Sequence, residues 1–167
     1  MWKRKRCSIS IQCLKKLIAS LACVVGAAAP VQANEIYRLL DAQKLVQTVR
    51  STGTTVLYDQ PRCYEKSTYG YYHPASDTMV LCVENHDEDY KELGDTLRHE
   101  SMHVAQACNG GDAILDWATI SKYSTNRILS IVQRYPAAHQ HIEYEAFTAA
   151  YAMSNTQVAK VVNDFCF

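Results

Sequence analysis

Beyond its first 16 residues the 167-residue chain has no cluster of lysine or arginine, and without one it lacks the electrostatic footprint by which proteins hold nucleic acid. Nucleic acid is therefore not an expected partner. The chain also lacks internal repeats, low-complexity tracts and any obvious linker, so it reads as one domain, long enough to bury a real core. It has no apolar run of the roughly 20 residues that a membrane-spanning helix needs. The segment "LIASLACVVGAAAPV", bounded by Lys16 and Gln32, is only 15 residues long. It follows the basic stretch "MWKRKRCSISIQCLKK" and precedes Ala33, with small residues at Val31 and Ala33 where a signal peptidase prefers them. That combination predicts a secretory signal over residues 1–33, cleaved after Ala33. The mature chain is then residues 34–167, exported to a periplasm or the exterior, with no stable membrane span.

Removal of the leader changes the charge and the cysteine count. Six of the 17 basic residues (Lys3, Arg4, Lys5, Arg6, Lys15, Lys16) and none of the 17 acidic ones leave with it, so 11 basic residues face 17 acidic ones, a net of about −6. Cys7, Cys13 and Cys23 leave too, which keeps Cys63, Cys82, Cys108 and Cys166. None of these forms a C-x-x-C pair, so a zinc knuckle is not expected. An even number in an exported chain predicts two disulfides, with three possible connectivities. The favoured pairs are Cys63 with Cys82, a local hairpin staple, and Cys108 with Cys166, which ties down the chain end.

Hydrophobic periodicity gives the elements. "NEIYRLLDAQKLVQTVRSTG" places Ile36, Leu39, Leu40, Leu45, Val46 and Val49 at helical spacing, with Gly53 as a stop. "TTVLYDQ" and "YGYYHPASDTMVLCVEN" are rich in Val, Tyr and Thr, with "PASD" as a turn, and predict two or three antiparallel strands. From about Asp89 a helical stripe of Leu93, Leu97, Val104 and Ala107 runs to the terminator "NGG". The rest reads as helix: "DWATISKYSTNRILSIVQRY", then "AAHQHIEYEAFTAAYAM", then "NTQVAKVVNDF". The expected class is α+β, a small sheet packed on helices with a helical C-terminal half.

Within the stripe helix lies "HESMH". On a helix, His99 and His103 stand about 40° apart around the axis and roughly 6 Å apart along it, so two imidazoles converge on one ion. Glu100 follows the first histidine and can reach a metal-bound water without being a ligand. The alternative is a surface helix with two solvated histidines and a capping glutamate. A catalytic zinc needs a third protein ligand and an open position. The longer pattern HExxHxxGxxH fails, because Gln106 occupies the glycine position and Asn109 that of the third histidine. "HIEYEAFTAAYA" offers Glu143 and Glu145 on an expected helix; Glu143 is the choice and Glu145 the fallback, otherwise a solvated carboxylate.

These motifs resemble the gluzincin type of zinc metallopeptidase, in which an HExxH helix is followed by a helix bearing a glutamate ligand. The ligand glutamate of several such families has an alanine three residues on, as Ala146 follows Glu143. The resemblance is one of motifs and not of the whole chain. It implies a zincin-like domain holding one Zn²⁺ through His99, His103 and Glu143, with Glu100 as base, acting on a peptide or protein substrate. Many members carry Asp or Asn four residues after the ligand glutamate to orient the first histidine, whereas this chain has Phe147. The resemblance further implies a Tyr or His that stabilises the tetrahedral intermediate. Tyr144 and Tyr151 lie near the proposed ligand among 11 tyrosines, and His139 and His141 precede it. "DTMVLCVEN" resembles the strand on which zincin substrates pair. The rival function is a noncatalytic, disulfide-stabilised secreted binding or inhibitor module.

Overall fold

The computed structural model describes residues 29–87, 89–123 and 125–167, with side chains from Leu40 onward; most of the predicted signal segment lies outside the described residues. Helix α1, Ala29–Ser51, begins five residues before the predicted start at Asn34. It ends where Gly53 takes φ +100, a backbone that only glycine adopts freely. Leu45 and Val49, four residues apart, are fully buried, while Leu40, expected in the same stripe, is half exposed. The chain divides into residues 1–39 and 40–167 by its internal contacts.

Strands β1 (Thr55–Tyr58), β2 (Gly70–His73) and β3 (Thr78–Leu81) form one sheet in the order β1-β3-β2. β2 and β3 make the expected antiparallel hairpin through "PASD", a 3-10 turn followed by Asp77 in the left-handed region. The expectation of a wholly antiparallel sheet is corrected by β1, which pairs with β3 in parallel, Thr55 opposite Thr78. The cause is the long connection 59–69. It reverses the chain far enough from β1 for β3 to insert between β1 and β2, and a disulfide between Cys63 and Cys82 fixes its path. Strand alternation sends Met79 and Leu81 into the main core and Val80 to the other face, against Cys63 and Cys82.

Helix α2, Tyr90–Cys108, is capped by Asp89, whose carboxylate accepts from the Lys91 and Glu92 amides. It buries Leu97, Met102, Val104 and Ala105 and packs on β2, β3 and two later helices. The "NGG" stop holds: Gly110 and Gly111 have positive φ, and the Gly111 amide closes on the Gln106 carbonyl at 2.8 Å. The segment read as one helix before Pro136 is two, α3 (Trp117–Lys122) and α4 (Asn126–Val132). Thr125 breaks it by taking extended backbone and turning its hydroxyl to cap the Ile128 amide, the competition with helix that threonine favours. Helices α5 (Gln140–Ala152) and α6 (Asn155–Cys166) complete the chain, α6 opening on a capping box of Ser154 and Gln157.

Two ties lock α2 to the C-terminal pair. Arg98 donates to the Ala150 carbonyl at 3.0 and 2.8 Å and to Asn155 Oδ1 at 3.0 Å, with Asp95 as its ion-pair partner; it thus satisfies a carbonyl at the end of α5 and grips the start of α6. Cys108, the last residue of α2, is bonded to Cys166 at the end of α6. Both disulfides have the favoured connectivity. The fold is α+β with a helical C-terminal half, and no helix of the described residues is long and apolar enough to cross a membrane.

Candidate metal centre

Helix α2 brings His99 and His103 onto one face, and α5, packed across it, presents Glu143 from its first turn. The three side chains meet. His99 Nε2 lies 3.2 Å from His103 Nε2 and 3.4 Å from Glu143 Oε2, and His103 Nε2 lies 3.7 Å from Glu143 Oε1. Ligand atoms about 2.0–2.1 Å from a tetrahedral ion stand about 3.3–3.4 Å from each other, so the separations of 3.2 and 3.4 Å lie near such an edge, and the 3.7 Å one, which is to the other carboxylate oxygen, lies a little beyond it. Glu143 Oε2 is buried with no hydrogen bond of ordinary geometry and has only the long 3.4 Å contact with the His99 ring, a weakly satisfied state for a carboxylate oxygen that a cation would relieve. Among the described residues this is a group of histidine and carboxylate ligands fit to hold a metal ion.

The electrostatics agree with that role. Burial, and then the positive charge of His99, push His103 down to about 4, so its imidazole is neutral at pH 7 and free to ligate. Burial also acts to lower His99, but the contact with Glu143 and the charges of Glu100 and Glu143 outweigh it and raise the group above the ordinary imidazole value. Glu143 is held below the usual carboxylate value: burial opposes ionisation, while His99, His103 and His139 favour it. Glu100, buried beside the cluster, is pushed up to about 7 by burial, with the charge of Glu143 adding and His99, Arg62 and the Tyr72 amide opposing. A carboxyl that changes protonation near 7 is matched to proton transfer at neutral pH.

The site has no acidic partner for His99 in the place where Phe147 stands. Instead the Phe147 ring packs on the imidazole, centroids 4.4 Å apart, so the ring is oriented by contact. His99 Nδ1 is buried and makes no hydrogen bond of ordinary geometry; the Ala146 carbonyl is the backbone group that acts on this ring. Glu145 is neither a ligand nor a solvated carboxylate. It is fully buried and accepts from Gln106 Nε2 at 2.6 Å, from the Ile114 amide at 2.8 Å and from the Leu115 amide. Two positions along α5 turn a side chain by about 200°, which carries Glu145 away from the cluster.

Of the tyrosines near Glu143 in sequence, Tyr144 is buried against Ile120, Ile128 and Val132, and Tyr151 stacks on Phe147 under the Arg127 guanidinium. His139 and His141 are exposed, and only His139 acts on Glu143. The tyrosine whose hydroxyl is acted on by the charges of Glu143 and Glu100 is Tyr135. Burial, and then the charges of Glu143 and Glu100, push its hydroxyl up to about 12, and its ring meets Phe147 edge-on. No spacing rule points to it, since it sits in the turn before Pro136 and reaches the site only because that turn delivers the chain to α5.

The expectation that the segment "DTMVLCVEN" presents a strand edge is corrected. β3 is central, bonded on both sides, and has no free edge. β2 is an edge strand: the Cys82 amide donates to the Tyr69 carbonyl, so Tyr71 and His73 also bond β3 while Gly70 and Tyr72 turn their backbone groups outward. That edge runs beside the helix of the site. A Cβ on Gly70 would fall 2.7 Å from Thr96 Cγ2 and 3.1 Å from Glu100 Cγ, so glycine permits the close approach that brings β2 to Glu100.

Residues 36–167 match the family described as Domain of unknown function (DUF8637). Neither a curated protein nor a solved structure matches the chain.

Proposed function

We propose that this chain, which belongs to the DUF8637 family, is an exported zinc-dependent hydrolase, most simply a metallopeptidase. The observation that carries the reading is the convergence of His99, His103 and Glu143 near tetrahedral-edge distances with a separate buried carboxyl, Glu100, alongside. Bound there, zinc would supply Lewis acidity toward a carbonyl and a lowered pKa for water. Glu100 accepts the proton of the attacking water and returns it to the leaving amine. The Tyr135 hydroxyl, kept protonated far above neutrality, donates to the oxygen on which negative charge develops. The outward amide of Gly70 and the outward carbonyls of Gly70 and Tyr72 offer an extended peptide a strand edge to pair with, while the Tyr72 amide is turned to Glu100. The two disulfides support an oxidising compartment; they support equally the rival reading, a noncatalytic secreted binding module.

A zinc titration against a competing chelator tests the centre, and its pH dependence has a definite sign. The 3.2 Å approach of the two Nε2 atoms needs one proton in the metal-free chain, and His99, with its raised affinity for protons, carries it. Zinc must displace that proton. Affinity is therefore expected to fall about tenfold per pH unit once pH drops below the raised His99 value, a decline that begins above the ordinary imidazole value of about 6.5, from a Kd of about 1 μM or tighter at pH 7.5. Glu143→Ala is expected to abolish binding at that level. A flat profile from pH 7.5 to 5.5, or full affinity in Glu143→Ala, would contradict the assignment. Tyr135→Phe is expected to keep zinc and KM while losing roughly 10²–10³-fold in kcat, the cost of one oxyanion donor. An unchanged kcat on a fluorescence-quenched peptide library would remove Tyr135 from the mechanism.

A further inference from the structure

We infer that Gln106, held by Glu145, is the positioning residue that fixes the tautomer of His103 and so leaves Nε2 bare for the metal; this rests on the zinc reading above. Gln106 and Glu145 are both buried, at 2% and 0% exposure. The Gln106 amide nitrogen has two protons, and both are committed: one to the Ile142 carbonyl at 2.9 Å, the other to Glu145 Oε2 at 2.6 Å. Both acceptors belong to α5 and neither has a proton to give, since the partners of Glu145 are all donors: Gln106 Nε2 and the amides of Ile114 and Leu115. The amide cannot turn over, because its oxygen would then face a carbonyl and a carboxylate. Gln106 Oε1 is thereby fixed toward His103 Nδ1, 2.7 Å away.

An acceptor in that place requires Nδ1 to bear the hydrogen. In a neutral imidazole Nε2 then has the lone pair, and Nε2 is the atom that faces His99 and Glu143. Helix α5 thus addresses both nitrogens of His103, with Glu143 at Nε2 and Glu145, through Gln106, at Nδ1. The same carboxylate pins the Ile114–Leu115 backbone, so the loop after α2 is tied to the orientation of a ligand. Outer partners of this kind fix ring orientation and raise ligand basicity.

Long-range ¹H–¹⁵N correlation of the histidine side chains in the metal-free full chain at pH 7.5 reads the tautomer directly. The expected result is a single Nδ1–H form for His103; an Nε2–H form overturns the inference. Glu145→Gln tests the chain of bonds with little change of shape. Its new amide would oppose that of Gln106, donor against donor, and favour the turned Gln106 that offers His103 a proton. The expected outcome is a shift toward Nε2–H with zinc affinity reduced roughly 10–100-fold. Gln106→Met is the second variant, in which His103 should lose its single tautomer. Retention of the Nδ1–H form and of full zinc affinity in whichever variant folds would overturn the inference. A wild-type chain with the Nδ1–H form that nevertheless takes up no zinc would overturn the zinc reading alone.

Discussion

Glu100→Gln is expected to retain one equivalent of zinc and lose roughly 10²–10⁴-fold in turnover, the range of a single general acid–base group. Retention follows from the geometry, because the three atoms that meet belong to His99, His103 and Glu143 and Glu100 is not among them. Zinc affinity should be little changed well below pH 7, where Glu100 is already uncharged, and should fall slightly above it, where the variant removes a negative charge beside the site. Loss of activity follows from chemistry: an amide cannot take the proton of the attacking water. Metal content and hydrolysis of a peptide library, measured on the same preparation, check both halves. Zinc lost together with activity would make Glu100 part of the metal site, and activity retained would remove it as the base.

Loss of the Cys108–Cys166 bond should cost about 4 kcal/mol, judged from the chain entropy of a loop closed across this span. The cysteines are 58 residues apart in sequence, against 19 for Cys63 and Cys82, for which the same relation gives about 3 kcal/mol. The effect reaches the site as well, because Cys108 ends the helix that bears both histidines. Urea unfolding of Cys108→Ser/Cys166→Ser measures it, and a loss below about 1 kcal/mol would contradict the entropic estimate. The two bonds differ in access. Cys63 and Cys82 are buried whereas Cys108 is exposed, so mild reductant should open Cys108–Cys166 first, as read by mass spectrometry after alkylation.

The positions of His99, Glu100 and His103 are legible in the sequence because a helix turns spacing into direction: four residues return nearly to the same face. Glu143 is legible by the same rule together with the E-x-x-A relation to Ala146. The disulfides are legible because four cysteines allow few pairings and each favoured pair joins elements that meet. What spacing cannot reach is whatever depends on the path between elements. The parallel pairing of β1 with β3 is set by the long connection 59–69, and nothing local distinguishes that loop from a hairpin turn. Tyr135 comes to the cluster from a turn. Glu145 looks like a surface carboxylate, as charged residues seldom go under unless paired, and only the backbone amides of Ile114 and Leu115, distant in sequence, make its burial affordable.

The proposed centre stands or falls with one measurement, the zinc content of full chain expressed in zinc-replete medium, purified without chelator and analysed by inductively coupled plasma mass spectrometry. About one equivalent is expected for the wild type and for Glu100→Gln, and less than about one-tenth for Glu143→Ala. A wild-type content below about one-tenth of an equivalent, with the protein folded, would contradict the metal site and with it the hydrolase reading.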